Sequence, residues 1–303
     1  MSKVVAIDIG GTKTLGALID EKANKLKEIR VDTNPHLGPE NLIHSLYKTI
    51  DRLIEGEEVR CIGIGSAGRI NINDGTVFFA SDNIPGWTNT PIKKIIEDKF
   101  GIETVVENDC RVTGLGEEWM GSLKGVSSYV CLALGTGVGA AVKIEGNMLH
   151  GVHHSAGELG HMIIHPHGRS CNCGLNGCLE QYCSGTALVK IYNERSKLKI
   201  SSGYQFFDLV KISDETAVQV LNEFVDNLAI TIISLYNIYD PKLVVIGGGL
   251  IDTKKYWWVD LNEKIQNSPI NNLFKPEIAP ATLGSKAAIY GAAYLALKRI
   301  GEA

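Results

Sequence analysis

The feature that most restricts this chain is a turn used twice. VVAIDIGGTKTLGALID (Val4–Asp20) and YVCLALGTGVGAAVKIE (Tyr129–Glu145) each read as an apolar strand, a Gly/Thr turn and a second apolar strand. Aligning Ile7 with Leu132, an offset of 132 − 7 = 125, sets Asp8 against Ala133 and Gly10 against Gly135, so that IGGTKT falls on LGTGVG. Two halves opening on the same hairpin predict a duplicated α/β architecture.

The remaining pattern agrees. After the first hairpin it predicts a strand at Lys27–Val31, a helix at Pro39–Glu55 and a strand at Cys61–Gly65. A helix after Pro91, a strand at Glu103–Glu107 and a helix at Arg111–Met120 follow. The second half predicts helices at Gly185–Arg195 and Thr216–Tyr239, a buried strand at Lys242–Leu250 and a last helix at Lys286–Arg299. Strands alternating with amphipathic helices imply a mainly parallel sheet covered on both faces. No Pro- or Ser-rich linker separates the halves, so two domains abutting along a cleft are expected.

At 303 residues, 44% of them hydrophobic, the chain has material for two cores. A net charge of −4 without any Lys/Arg block speaks against nucleic acid or an anionic membrane as partner. MSKVVAIDIGGTK enters its first strand without the apolar region of a signal peptide, and no apolar run approaches the ~18 residues of a spanning helix. Seven cysteines, three of them bunched, do not resemble a secreted disulfide framework. A cytoplasmic location is expected.

Three glycine turns, IGGTKT, LGTGVG and VIGGGL, end buried strands. Each is either a tight turn or an anion nest with bared backbone N–H groups. None matches the P-loop, and GGTK lacks the G-x-G-x-x-G spacing. Three together favour a phosphate-rich ligand. His161, Cys171, Cys173 and Cys178 form H-x9-C-x-C-x4-C. Three thiolates and an imidazole complete a tetrahedral Zn²⁺ with no open position, which makes a structural site, not a catalytic one. The alternative is reduced cysteines filling a loop. Cys61, Cys110, Cys131 and Cys183 read as core. His150, His153, His154, His165 and His167 are surface or loop residues or a second metal site, and Trp257 and Trp258 are core or interface.

IDIGGTK, ENDCRVTGLGE, LGTGVGA, GELGH and CNCGLNGCLE occur in the order seen in sugar kinases of the ROK family, which the chain resembles along essentially its whole length. The resemblance implies the duplicated actin-like (ribonuclease H-like) α/β fold of the hexokinase–actin superfamily, two lobes with ligands in the cleft. One lobe would be 1–108 plus 286–303, with the first phosphate loop and part of the sugar pocket. The other, 109–285, would hold the catalytic base, zinc loop and nucleotide site. It also implies ATP with Mg²⁺, structural Zn²⁺, a small-molecule sugar and a homodimer or homotetramer.

Residue by residue, the resemblance makes Asp109 the general base for the sugar 6-hydroxyl, where a bare strand-to-helix aspartate would read as an N-cap. It makes Gly68, Arg69, Asn83, Asn108, Glu158, His161 and Glu180 sugar contacts. His161 would bind zinc through one ring nitrogen and sugar through the other. Gly11, Thr12 and Lys13 would face phosphates, and Thr136, Gly137, Gly247 and Gly248 would flank the nucleotide. Asp8, repelled by phosphate unless a cation intervenes, would hold hydrated Mg²⁺.

The G-R-x-N pattern at Gly68–Asn71 resembles N-acetylmannosamine kinases, in which an arginine donates to the N-acetyl carbonyl. The leading expectation is therefore N-acetylmannosamine 6-kinase. DNIPGW resembles bacterial glucokinases, and glucokinase is the alternative. Family repressors place a helix-turn-helix ahead of the first hairpin, for which a first strand at Val4 leaves no room. A non-catalytic sugar sensor is the other rival, and Asp8 with Asp109 argues against it.

Overall fold

Each half of the chain builds the same five-stranded sheet. The computed structural model describes residues 2–80 and 84–303, and they fall into two units. The first comprises Met1–Lys124, His150–Ala156 and Ser285–Ala303; the second comprises Gly125–Leu149 and Gly157–Gly284. Asn83, an expected sugar contact, lies outside the described residues.

The chain opens with β1 (Lys3–Ile9), β2 (Lys13–Asp20), β3 (Lys25–Asp32), α1 (Pro39–Ile54) and β4 (Cys61–Ser66). A short hairpin of β5 (Arg69–Asn71) and β6 (Thr76–Phe79) leads to α2 (Ile92–Phe100), β7 (Thr104–Asn108) and α3 (Asp109–Met120). The second unit starts with β8 (Tyr129–Leu134), β9 (Val138–Ile144) and β10 (Asn147–Met148). Then come α4 (Glu180–Cys183), α5 (Gly185–Arg195), α6 (Gly203–Lys211), α7 (Glu215–Tyr239), β11 (Leu243–Gly247), α8 (Trp258–Gln266) and β12 (Ile278–Pro280). α9 (Ala287–Arg299) returns to the first unit.

The strand orders are β3-β2-β1-β4-β7 and β10-β9-β8-β11-β12. In both, the hairpin-linked strands pair antiparallel, whereas β1–β4–β7 and β8–β11–β12 pair parallel. The sheets are therefore mixed, not mainly parallel, because a tight turn can join only antiparallel neighbours. Ile9 pairs with Thr14 and Leu134 with Val138, so the first strands keep the offset of 134 − 9 = 125.

β1 shows why both faces of the first sheet are covered. Val5, Ile7 and Ile9 enter one core with α1 and α2, while Val4 and Ala6 enter another with α9. That is the period of two expected of a strand buried on both sides. α1 begins with Pro39, which suits a first turn whose N–H groups have no partner, and buries Leu42, Leu46, Ile50 and Leu53 as one stripe. β3, an edge strand, carries Lys25, Lys27, Glu28 and Arg30. In the second unit α7, 25 residues long, packs beside α5, α6 and α8. Among the described residues it is the one helix long and apolar enough to span a membrane, and 56% of its most apolar window is buried. Trp257 belongs to this core, and its indole N–H donates to Thr253 Oγ1 at 3.0 Å.

α3 and α9 meet backbone to backbone. A Cβ at Gly291 would stand 1.6 Å from the Val112 carbonyl oxygen, and one at Gly116 would stand 2.0 Å from that of Ala287. Gly63 of β4 likewise abuts the Ala292 carbonyl, at 1.9 Å. This packing fastens α3 to the first unit, whereas the sequence reading placed the boundary after residue 108. Gly291→Ala is expected to cost about 3 kcal/mol in a denaturant-unfolding measurement, because backbone cannot move aside as a side chain can. Gly203→Ala, which meets open space, should change stability by less than about 0.5 kcal/mol.

Candidate active site

The carboxyl ends of β1 and β7 bring three acidic residues of the first unit together, Asp8, Glu107 and Asp109. Asp8 pairs with Gly65, and Gly65 with Glu107, so all three stand at one level of the sheet. One residue on, Asn108 ends β7 and caps α3. Its Oδ1 accepts from the N–H groups of Cys110 and Arg111 at 2.9 and 3.1 Å. The cap is thus Asn108, and Asp109 is the first helical residue. Asn108 Nδ2 donates to Asp109 Oδ1 at 2.8 Å and to the Gly68 carbonyl at 2.9 Å. Asp109 Oδ1 also accepts from the Cys110 amide at 2.9 Å. With both ends of its amide engaged, Asn108 orients the neighbouring carboxylate and ties it to Gly68.

Burial first, and then the negative charge of Asp109, raises Asp8 to about 7. Glu107 behaves oppositely. Burial pushes it up, but His150, Arg111 and the Asn108 amide outweigh that and hold it below the usual carboxylate range. His150 Nε2 lies 2.6 Å from Glu107 Oε2, and Arg111 Nη1 donates to Oε1 at 3.2 Å. Arg111 Nη2 also donates to the carbonyls of His154 and Ala156, at 3.3 and 2.8 Å. The sequence reading missed this buried cluster. Its one local signal was a Glu and an Arg four apart across a strand-to-helix junction otherwise flanked by apolar residues.

Gly11, Thr12 and Lys13 are exposed on the first turn. Thr33, buried, braces it: its N–H donates to the Thr12 carbonyl at 3.0 Å and its hydroxyl to the Gly10 carbonyl at 2.7 Å. Arg69 is half-buried, with its guanidinium 5.4 Å from the centre of the Phe79 ring.

In the second unit the four expected metal ligands meet. Their donor atoms lie within 4.8 Å of one another, Cys173 Sγ is 3.6 Å from Cys178 Sγ, and Cys171 Sγ is 3.7 Å from His161 Nδ1. A tetrahedral zinc with Zn–S bonds of about 2.3 Å sets sulfurs about 3.8 Å apart, so the residues fit the ion. Burial and the neighbouring thiols push Cys178 up to about 12. Such a crowded set ionises together around a cation. No other group of this kind occurs among the described residues. Cys61, Cys131 and Cys183 are buried and Cys110 is half-buried. His165 Nε2 lies 2.7 Å from Asn227 Oδ1.

Glu158 and His161 bracket a single 3-10 turn, Leu159–His161, and the His161 N–H donates to the Glu158 carbonyl at 3.0 Å. Glu180 opens α4 two residues after Cys178, and its Oε2 accepts from the Val138 N–H at 2.9 Å. A cavity of about 970 Å³ opens beside the second glycine turn, with Gly135, Thr136, Gly185, Gly249 and Tyr256 among its walls. Gly137, Gly247 and Gly248 are not among them. Gly247 is buried at the end of β11, and a Cβ at Gly248 would meet the Leu134 carbonyl oxygen at 2.4 Å.

The ROK family profile matches residues 4–299. A glucokinase of Thermotoga maritima is 33% identical, over 99% of this chain and 98% of its own. An N-acetyl-D-glucosamine kinase of Vibrio atlanticus is 30% identical, over 96% of this chain and 98% of its own. The crystal structure of a ROK glucokinase from Streptomyces griseus, in complex with glucose and AMPPNP, superposes with a TM-score of 0.80 at 30% identity, covering 98% of this chain and 100% of that one. With the paired mixed sheets and the metal-ligand cluster in place, these matches establish that the chain belongs to the ROK family.

Proposed function

We propose that this chain is an ATP-dependent hexose kinase that transfers the γ-phosphoryl group to a sugar 6-hydroxyl, with glucose as the leading acceptor. It is a sugar kinase of the ROK family. The observation that carries the mechanism is Asp109, fixed by the Asn108 amide at the carboxyl end of β7, with Asp8 beside it.

Transfer to an alcohol needs a base, donors for the phosphates, Mg²⁺ and alignment. Asp109 accepts the hydroxyl proton as the oxygen attacks phosphorus. Asp8, disfavoured as an anion near Asp109, is a partner for the Mg²⁺ that accompanies the nucleotide. Gly11–Lys13 serve the phosphates. The cavity beside Gly135 and Thr136 is of a size for the nucleoside. On the second unit Glu158 and Glu180 accept hydrogen bonds from sugar hydroxyls. His161, with Nδ1 toward the thiols, has Nε2 for the sugar. Zinc, when bound, supplies rigidity to the loop that carries these residues.

Glucose is favoured over N-acetylmannosamine on two grounds. The similar proteins above are glucokinases and an N-acetylglucosamine kinase. Arg69, the basis of the N-acetylmannosamine reading, stacks on Phe79. N-acetylglucosamine is the second reading, supported by the Vibrio relative.

Sugar-dependent ADP release tests the whole. Asp109→Asn should fold normally and lose at least about 10²-fold in kcat. Glucose should show the highest kcat/KM of the three sugars, and a preference for N-acetylmannosamine would reverse the substrate assignment. Chelating zinc should raise the sugar KM more than the ATP KM; equal losses would sever the loop from the sugar site.

Asp8 gives a pH dependence. Its folded value of about 7 exceeds its unfolded value of about 4, so the folded state holds the extra proton and stability falls as pH rises through that window. Asp8→Asn should therefore be more stable than the parent at pH 8, by about 2 kcal/mol after allowing for solvent screening. The gain should shrink toward pH 4 in thermal or urea unfolding without nucleotide, while the variant loses activity.

A further inference from the structure

The second glycine turn holds more than a nucleotide loop requires. Val138, where β9 begins, donates its N–H to Glu180 Oε2 at 2.9 Å. Gly137 makes that contact possible, because a Cβ there would stand 2.3 Å from the same oxygen. At the other end of the same residue, Gly160 lies against Val138, and a Cβ there would stand 2.0 Å from the Val138 carbonyl oxygen. The Gly185 N–H donates to the Gly135 carbonyl at 2.8 Å, which closes the segment after α4 onto the same turn. Two chain segments that carry proposed sugar contacts, Glu158–His161 and Glu180, thus rest on one residue of the glycine turn. Gly135 and Thr136 line the large cavity; Gly137 faces the carboxylate.

From this we infer that Gly137 is a positioning residue for the acceptor sugar and not for the nucleotide: its missing side chain lets the Val138 amide set where the Glu180 carboxylate points. The inference rests on the kinase reading and deepens it by moving Gly137 from the phosphate side of the reaction to the hexose side. A backbone N–H to an ionised carboxylate is a charge-assisted bond, strong enough to hold one rotamer of a long flexible chain. Gly137 has no left-handed φ, so alanine brings a methyl group and no backbone strain. What it would strike is the far end of a glutamate, which can swing aside. The variant is therefore expected to fold with Glu180 misdirected.

The experiment is steady-state kinetics on wild type, Gly137→Ala, Glu180→Asp and the double variant, varying hexose and ATP separately. Gly137→Ala is expected to raise the hexose KM about tenfold while the ATP KM stays within about twofold. Glu180→Asp alone should also raise the hexose KM. In the double variant the shorter carboxylate clears the added methyl, so the two losses should be less than additive. An ATP KM that rises as much as the hexose KM, or strictly additive losses, would overturn the inference. Wild type with no hexose-dependent ADP release would instead remove the kinase reading itself. A second measurement does not depend on any variant folding. In ¹⁵N-valine-labelled wild type the Val138 amide resonance should move on adding hexose without nucleotide, and an unmoved resonance would overturn the inference.

Discussion

Two helices and a strand of the first unit touch through their backbones, at Gly116, Gly291 and Gly63. Ordinary helix packing interposes side chains, which hold axes about 8–10 Å apart and can repack when one changes. Here nothing lies between the main chains, so the position of α3 on its sheet is set by atoms that have no rotamers. Asp109 is the first residue of that helix, and its carboxylate is then fixed by the preceding residue. The Asp109 carboxylate is thus placed by main-chain contact and trimmed by one amide. Interiors respond to such contacts as close-packed solids and not as compliant liquids, and the role proposed for Asp109 calls for that rigidity.

The duplication shows what each copy was free to change. Both sheets keep an antiparallel hairpin followed by two parallel strands. The third strand, eight residues long as β3, shrinks to two as β10. Near the end of its first strand the first hairpin carries Asp8, where the second has Ala133. Under the function proposed above, a carboxylate beside the first turn calls for a cation before phosphate can approach. The second turn has no such demand, and its Val138 amide is taken by the carboxylate of Glu180. One inherited turn therefore faces a charge that must be neutralised, and the other neutralises a charge brought to it.

The fold was legible where periodicity ran long. α1 and α7 showed their apolar stripes, β1 and β8 their unbroken apolar runs, and their observed limits differ from the expected ones by a residue or two. β5, β6, β10 and β12 span two to four residues, too short to carry a period. α8 was hidden behind the 3-10 helix Gly249–Tyr256. The sheet was misjudged because the hairpins, correctly read, were not counted as half of its pairings. At the site, the four clustered metal-ligand residues were visible in their spacing, and Asp109 was named from a motif, its role as base belonging to the proposed function. Asn108, expected as a sugar contact, is in addition the cap of α3, a use for which Asn at a strand-to-helix junction is preferred. Gly137 could not be understood from the turn alone, since its neighbour Glu180 is 42 residues beyond Val138's partnered amide.

The buried cluster at Glu107 and the carboxylate of Asp8 are set in opposite electrostatic states. A buried ion pair adds little net stability, because desolvation cancels most of the attraction, but breaking it strands a charge. Arg111 directs its charge at Glu107, and its second nitrogen fixes the carbonyls of His154 and Ala156, the segment that runs on into Gly157–His161. That guanidinium therefore settles one carboxylate and one stretch of backbone. What acts on Asp8 is burial and the negative charge of Asp109. Glu107 is satisfied from within the fold, whereas burial and Asp109 raise Asp8 to about 7, so that a nearby cation would favour its charged form. The unit thus settles the charge of Glu107 from within while its fold disfavours an ionised Asp8, and under the function proposed above that difference is what a Mg²⁺-bearing nucleotide would draw on.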